Sequence, residues 1–147
     1  MKTIIFVCHG SICRSPAAAF IARKYLKETG RDSDFLIDIR ATSSEEIGND
    51  VYPPMKRELM RRGIPLFPHR AKRITQIDYD KADYIFYMDE ENRWSLNRQL
   101  NDYKHILLPI NKWTNDIVEI EDPWYTDRYE LVVDQIIKCI NDIFKNI

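Results

Sequence analysis

Short apolar runs alternate with amphipathic stretches along this chain. Thr3–Val7 is an unbroken run rich in β-branched residues, which predicts a strand buried on both faces. Pro16 is read as opening a helix, because proline forfeits no hydrogen bond at a first helical position. Phe20, Ile21, Tyr25 and Leu26 continue that helix toward Gly30, a C-terminal stop. Phe35–Ala41 predicts a second strand. Pro53-Pro54 start a helix with Met55, Leu59 and Met60 on one face and Gly63 at its end. Tyr84–Met88 reads as a third strand, and Asp89 starts a helix carrying Trp94, Leu96 and Leu100. A fourth short strand is expected at His105–Leu108. The last helix runs from Tyr129 to Phe144 with Leu131, Val132, Ile136, Ile140 and Ile143 as its apolar stripe.

Strands separated by helices imply parallel pairing through right-handed crossovers. The expected fold class is α/β: a four-stranded, parallel, doubly wound sheet flanked by helices. In such sheets a ligand sits beyond the carboxyl ends of the strands, at the switch point. That rule points to the segment following Val7. No repeat or low-complexity tract divides the chain, and its 147 residues suit one domain, 1–147.

Composition narrows the function class. A chain that is 44% hydrophobic and 31% charged has the material for a core, and a net charge of -1 gives no global pull toward nucleic acid or an anionic membrane. The basic stretch Lys56, Arg57, Arg61, Arg62, Arg70, Lys72 and Arg73 is read as solvated faces rather than a nucleic-acid surface. The apolar N-terminal run is too short for a secretion signal, and no run approaches the roughly 20 residues of a membrane helix. Three cysteines, Cys8, Cys13 and Cys139, argue for a reducing compartment, hence a cytoplasmic protein, and against a disulfide scaffold. Cys8, His9 and Cys13 lack an evident fourth ligand, so no structural metal is expected.

The chemistry concentrates in Cys8-His9-Gly10-Ser11-Ile12-Cys13-Arg14-Ser15-Pro16. A loop between a strand and a helix turns backbone N–H groups inward, and the helix adds its positive end, together making a cradle for phosphate. Gly10 is read as permitting a backbone shape that other residues resist. Arg14 supplies a planar fork for two phosphate oxygens. Cys8 at the floor of that cradle is expected as a thiolate in line with a leaving oxygen. Ser15 is placed to hydrogen-bond the sulfur. Alone, Cys8 would read as a buried, inert cysteine. The Walker pattern and the dinucleotide glycine fingerprint are both absent.

A thiolate that displaces a phenolate or alkoxide needs a proton donor. Asp122-Pro123-Trp124-Tyr125 offers one: Pro123 restrains Asp122, and Trp124 and Tyr125 are candidates to line a slot for a phenyl ring. Glu119, Glu121 and Asp127 crowd Asp122 in sequence, an arrangement expected to help it keep its proton.

With these motifs in place, the chain resembles the low-molecular-weight protein tyrosine phosphatases over essentially its whole length. The resemblance rests on Val7 through Pro16, Ala41-Thr42-Ser43, Ile47-Gly48-Asn49, Gly63-Ile64-Pro65, Met88-Asp89-Glu90 and Asp122-Pro123-Trp124. It implies a flavodoxin-like, phosphatase I-like fold. It also implies Cys8 as nucleophile, Arg14 as phosphate clamp, Asp122 as general acid and later base, no metal or cofactor, and Ser43 and His69 as supports of the loop. Implied partners are tyrosine-phosphorylated proteins or peptides, with phosphate or sulfate in the loop, no nucleic acid and no membrane, and a monomer or weak dimer. The resemblance also lends weight to Cys13 as a redox partner able to pair with Cys8, against a plain packing role.

Departures from the family pattern carry their own expectations. Ser11 replaces a usual Asn that tolerates a left-handed backbone, so a looser loop and slower turnover are expected. His9 adds a titratable group at the rim. Glu45 stands where mammalian members have an aromatic wall, and an acid there is expected to disfavour acidic peptides. Ile12 favours phosphotyrosine over the protein-arginine phosphatases of this fold, which carry Thr there. Arsenate reductases of the fold need further redox cysteines in the second half, where only Cys139 remains, read as core. A module that binds phosphotyrosine without turnover is the contrasting class; the joint presence of Cys8, Arg14 and Asp122 argues against it.

Overall fold

The computed structural model describes residues 1–147. In chain order the elements are β1 (Lys2–Cys8), α1 (Arg14–Glu28), β2 (Phe35–Ala41), α2 (Pro53–Arg61), α3 (Gln76–Lys81), β3 (Tyr84–Tyr87), α4 (Glu90–Gln99), β4 (Leu107–Pro109), α5 (Pro123–Thr126) and α6 (Tyr129–Asn146). The four strands form one sheet in the order β2-β1-β3-β4, every pair parallel. β1 is therefore central, and the chain turns to opposite sides of it, so the switch point lies beyond Cys8.

Period-two alternation along β1 divides the core. Ile4, Phe6 and Cys8 join a large apolar cluster with Ala18, Phe20, Met55 and the α6 residues Val132, Val133, Ile136 and Ile140. Ile5 and Val7 face the other side, against Tyr79 of α3 and Leu96 of α4. Both faces of β1 are dry, which is why its sequence is a continuous apolar run rather than an alternating one. Cys139 is fully buried in the large cluster, and burial pushes its thiol up to about 11, as for an inert core cysteine.

The eight expected elements appear in the expected order, with two unexpected short helices, α3 and α5, between them and local differences. α1 begins at Arg14, two residues before Pro16. The Ser15 N–H, an orphan of the first helical turn, points at Cys8 Sγ at 3.4 Å, so the helix starts inside the loop itself. Its C-terminus is a Schellman motif around Gly30 (φ +70°), with the Arg31 N–H donating to the Leu26 carbonyl and the Gly30 N–H to that of Lys27. α2 ends the same way at Gly63, through Ile64 N–H to Leu59 and Gly63 N–H to Met60. Met60, expected on the buried face, is 64% exposed, because one residue past Leu59 turns about 100° around the helix. β4 is shifted to Leu107–Pro109, since His105 occupies a turn at φ +55°. Trp94 is exposed, its ring lying under the Arg98 guanidinium. Tyr129 is buried, whereas Tyr125 is exposed. No helix is long and apolar enough to cross a membrane.

Candidate active site

Strand β1 ends at Cys8, and α1 starts at Arg14. The residues between close a pocket of about 120 Å³ lined by Cys8 through Arg14 with Glu45, Glu46, Asp122, Trp124 and Tyr125. Glu45, Trp124 and Tyr125 all line this cavity, and the segments that meet here are far apart in the chain.

Left-handed backbone in this loop belongs to Ser11 (φ +60°) and not to Gly10. Gly10 serves a different need: a Cβ there would come within 3.1 Å of the Glu46 side chain, so its bareness admits the neighbouring loop. Ser11 is wholly buried; two partners hold it directly and a third holds the next residue. Its Oγ lies 3.0 Å from Ser15 Oγ, its carbonyl accepts from His69 Nε2 at 2.6 Å, and the Tyr52 N–H donates to the next carbonyl, that of Ile12, at 2.8 Å. A left-handed non-glycine residue costs about 1–2 kcal/mol, and these contacts offset that strain. Burial lowers the His69 pKa, and Arg23 and Arg40 add to that against the opposing pull of the Ser11 carbonyl and Asp50. Ser43 secures the loop at its start, its Oγ and N–H both donating to the His9 carbonyl at 2.9 and 3.1 Å.

Cys8 Sγ lies 3.2 Å from Ser15 Oγ besides facing the Ser15 N–H. The two loop cysteines differ. Burial first, and then the negative charges of Cys8 and Asp122, push the Cys13 thiol far up, which keeps it protonated beside Tyr129. Neither cysteine is in a disulfide here.

Arg14 is 2% exposed. Its Nη1 donates to Asp89 Oδ2 at 2.6 Å and to the Ile120 carbonyl at 2.8 Å. Its Nη2 lies 3.6 Å from Asp122 Oδ2, and Nε and Nη2 make no hydrogen bond to the protein. Burial works against the charge, but Cys8, Asp89 and Asp122 outweigh it, and the guanidinium ends up more basic than usual. Asp89 and Ile120 are the parts of the site that the sequence reading missed. Asp89 was legible as a helix start and as part of the Met88-Asp89-Glu90 match, without a role in the site, and it does cap α4 by accepting from the Asn92 N–H at 2.8 Å. A carboxylate at the carboxyl end of a neighbouring parallel strand was the available signal. Glu46 and Tyr52, whose ring packs 4.7 Å from that of Trp124, were also missed.

Asp122 caps the short helix α5, Oδ1 accepting from the Trp124 N–H at 3.1 Å. Two of the neighbouring acids have partners of their own. Glu121 pairs with Arg128 at 2.5 Å and Glu119 accepts from the Glu90 N–H, while Asp122 itself faces Arg14. At the rim His9 Nε2 meets Glu45 Oε2 at 2.9 Å, both side chains exposed.

The arrangement thus offers a sulfur, a fixed cation with free donors and a carboxylate around one small cavity. A profile for the family described as "Low molecular weight phosphotyrosine protein phosphatase" matches residues 3–147. The human protein of that name is 37% identical over 147 residues, covering 94% of this chain and 90% of its own. Bacillus subtilis "Low molecular weight protein-tyrosine-phosphatase YfkJ" is 32% identical over 143 residues, covering 94% and 90%. The crystal structure of YfkJ superposes with a TM-score of 0.94 at 28% identity, over 99% of this chain and 93% of that one. By a match that runs nearly from end to end, the chain belongs to the low-molecular-weight phosphotyrosine protein phosphatases.

Proposed function

We propose that this protein hydrolyses phosphotyrosine in proteins or peptides through a phosphocysteine intermediate. The observation that carries the reading is the shared position of Arg14: anchored by Asp89 and Ile120, it borders both Cys8 and Asp122 in a single pocket. In the first step the Cys8 thiolate attacks phosphorus as the P–O bond to the tyrosyl oxygen breaks. Asp122 gives its proton to the departing phenolate oxygen. Free Nε and Nη2 donors of Arg14 and the inward amides of the loop stabilise the equatorial oxygens, which carry the charge. In the second step Asp122, now a carboxylate, takes a proton from a water that attacks phosphorus. The P–S bond breaks, sulfur leaves as thiolate beside the Ser15 hydroxyl, and phosphate departs. Cys13, held as a thiol by its surroundings, is unsuited to the nucleophilic role. The exposed Trp124 and Tyr125 rings at the mouth suit a flat phenyl group.

A chromogenic aryl phosphate tests the reading. Cys8→Ser is expected to abolish turnover, and Asp122→Asn to slow the first step by roughly 10²–10⁴-fold. An active Cys8→Ser variant would exclude the covalent route. Phosphate binding without any turnover in the unaltered protein would instead leave a recognition module.

A further inference from the structure

Behind the phosphate loop, along the outer edge of β2, which pairs only at Ala41 with Arg73, lies a second and wider cleft of about 590 Å³. Arg23 of α1, Arg40 of β2 and the Arg70 and Lys72 side chains of the following loop line it, together with Asp38, Asp50 and His69. Its acids are already engaged. Asp38 pairs with Arg40 at 3.0 Å, and Asp50 pairs with Lys56 at 2.5 Å. Arg40 is in turn saturated by Asp38 and Asp78. Three cations are left without an acidic partner. Arg23 donates only to the Ile37 carbonyl and lies over the Phe67 ring, Arg70 donates only to the Gly48 carbonyl, and Lys72 makes no side-chain hydrogen bond or ion pair. Converging guanidiniums with open donors are the chemistry that recognises phosphate.

His69 stands between this cleft and the catalytic loop. It lines the cleft and reaches the Ser11 carbonyl with Nε2. Because that partner is a carbonyl, Nε2 carries the hydrogen, and a second proton would enter at Nδ1. The charges facing His69 are Asp50 on one side and Arg23 and Arg40 on the other. Cations that form the cleft are thus also cations that disfavour imidazolium.

We propose that the cleft bordered by Arg23, Arg70 and Lys72 is a second anion site, taking a ligand with two or more phosphate groups, and that His69 couples it to the catalytic loop. A bound polyanion offsets the cationic field, favours the second proton on His69 and converts its bond to Ser11 into a charge-assisted one. That stiffens the loop residue whose left-handed backbone most depends on outside support.

Histidine Cε1–H resonances, followed by NMR against pH at constant ionic strength, provide the test. Carboxymethylating Cys8 with iodoacetate first closes the catalytic pocket. Inorganic tripolyphosphate is then expected to raise the His69 pKa by about one unit and to move the Ser11 and Ile12 amide resonances with the same midpoint. The double variant Arg70→Gln/Lys72→Gln, whose aryl phosphate turnover should match the unaltered protein, is expected to lose that response. A peptide carrying two phosphoserines forms the second arm. Response to tripolyphosphate assigns the site to a free polyanion, and response to the peptide alone assigns it to a phosphoprotein. No His69 shift with either probe, or an equal shift in the double variant, overturns the proposal.

Discussion

At the scale of single residues, Asp89 has two functions that substitution can separate. It caps α4 and it anchors Arg14. Asn caps a helix about as well as Asp, but it removes the charge that holds a buried guanidinium. Asp89→Asn is therefore expected to keep the far-ultraviolet spectrum while lowering kcat/KM for an aryl phosphate by about 10–100-fold. An unchanged kcat/KM would show that the Ile120 carbonyl and Asp122 suffice to place Arg14. At the rim, Glu45 and Glu46 stand against one half-exposed imidazole, that of His9, while Asp122 deeper in faces Arg14. Phosphotyrosine peptides with basic neighbours should be turned over faster than those with acidic ones, and Glu45→Gln should narrow the gap a few-fold, a size set by partly screened charges. Equal kcat/KM ratios in the two proteins would remove Glu45 from substrate choice. What the sequence made legible here follows from chemistry that is local in the chain. Cys8, Arg14 and Ser15 lie within one loop, and their types announce their purpose. Asp89 and Ile120 come from other strands and loops. One acts through a carboxylate that doubles as a cap, the other through a backbone carbonyl that every residue type possesses.

Among the elements, those with a long apolar period or a run of β-branched residues were readable, and those made by capping were not. α3 has six residues and no apolar stripe; it exists because Thr75 and Asp78 form a reciprocal capping box and Tyr79 plugs the core. α5 has four residues and depends on Asp122 accepting from the Trp124 N–H. Neither signal survives in a pattern of hydrophobic and polar positions. Helix ends were legible where glycine supplied a left-handed residue. At Gly63 (φ +69°) nothing lies within 4 Å of an added Cβ, so backbone strain is the whole cost of a substitution. Gly63→Ala is expected to lower stability by about 1 kcal/mol, read as a lower urea midpoint at unchanged slope. A loss near zero would show that the α2 terminus readjusts freely. A loss of several kcal/mol would show that the Ile64-to-Leu59 closure supports more of the core than its own turn.

Across the whole molecule, acid works against the fold through two sets of groups with different windows. His69 is half-buried with a lowered pKa, so the unfolded chain binds a proton that the folded one resists. Its contribution is complete above the unfolded histidine value of about 6.5 and is lost as pH falls through the folded value. Asp78 and Glu58 also have lowered pKa values. For Asp78 the bonds to Arg40 and Thr75 overcome an opposing burial effect, and for Glu58 the hydrogen bond to Arg61 leads. Their contribution is present above the unfolded carboxylate values of about 4 and disappears as pH falls through the folded ones. Tm should therefore decline in two stages on acidification: a first below about pH 6.5 from His69, a second below about pH 4 from the carboxylates. His69→Gln keeps a donor for the Ser11 carbonyl but has nothing to titrate. It is expected to flatten the first stage and leave the second, as followed by thermal unfolding from pH 7.5 to 3.5. A first stage that survives in His69→Gln would place the acid sensitivity in another histidine, and with it would go the view that the imidazole behind the loop is held neutral at a cost to the fold.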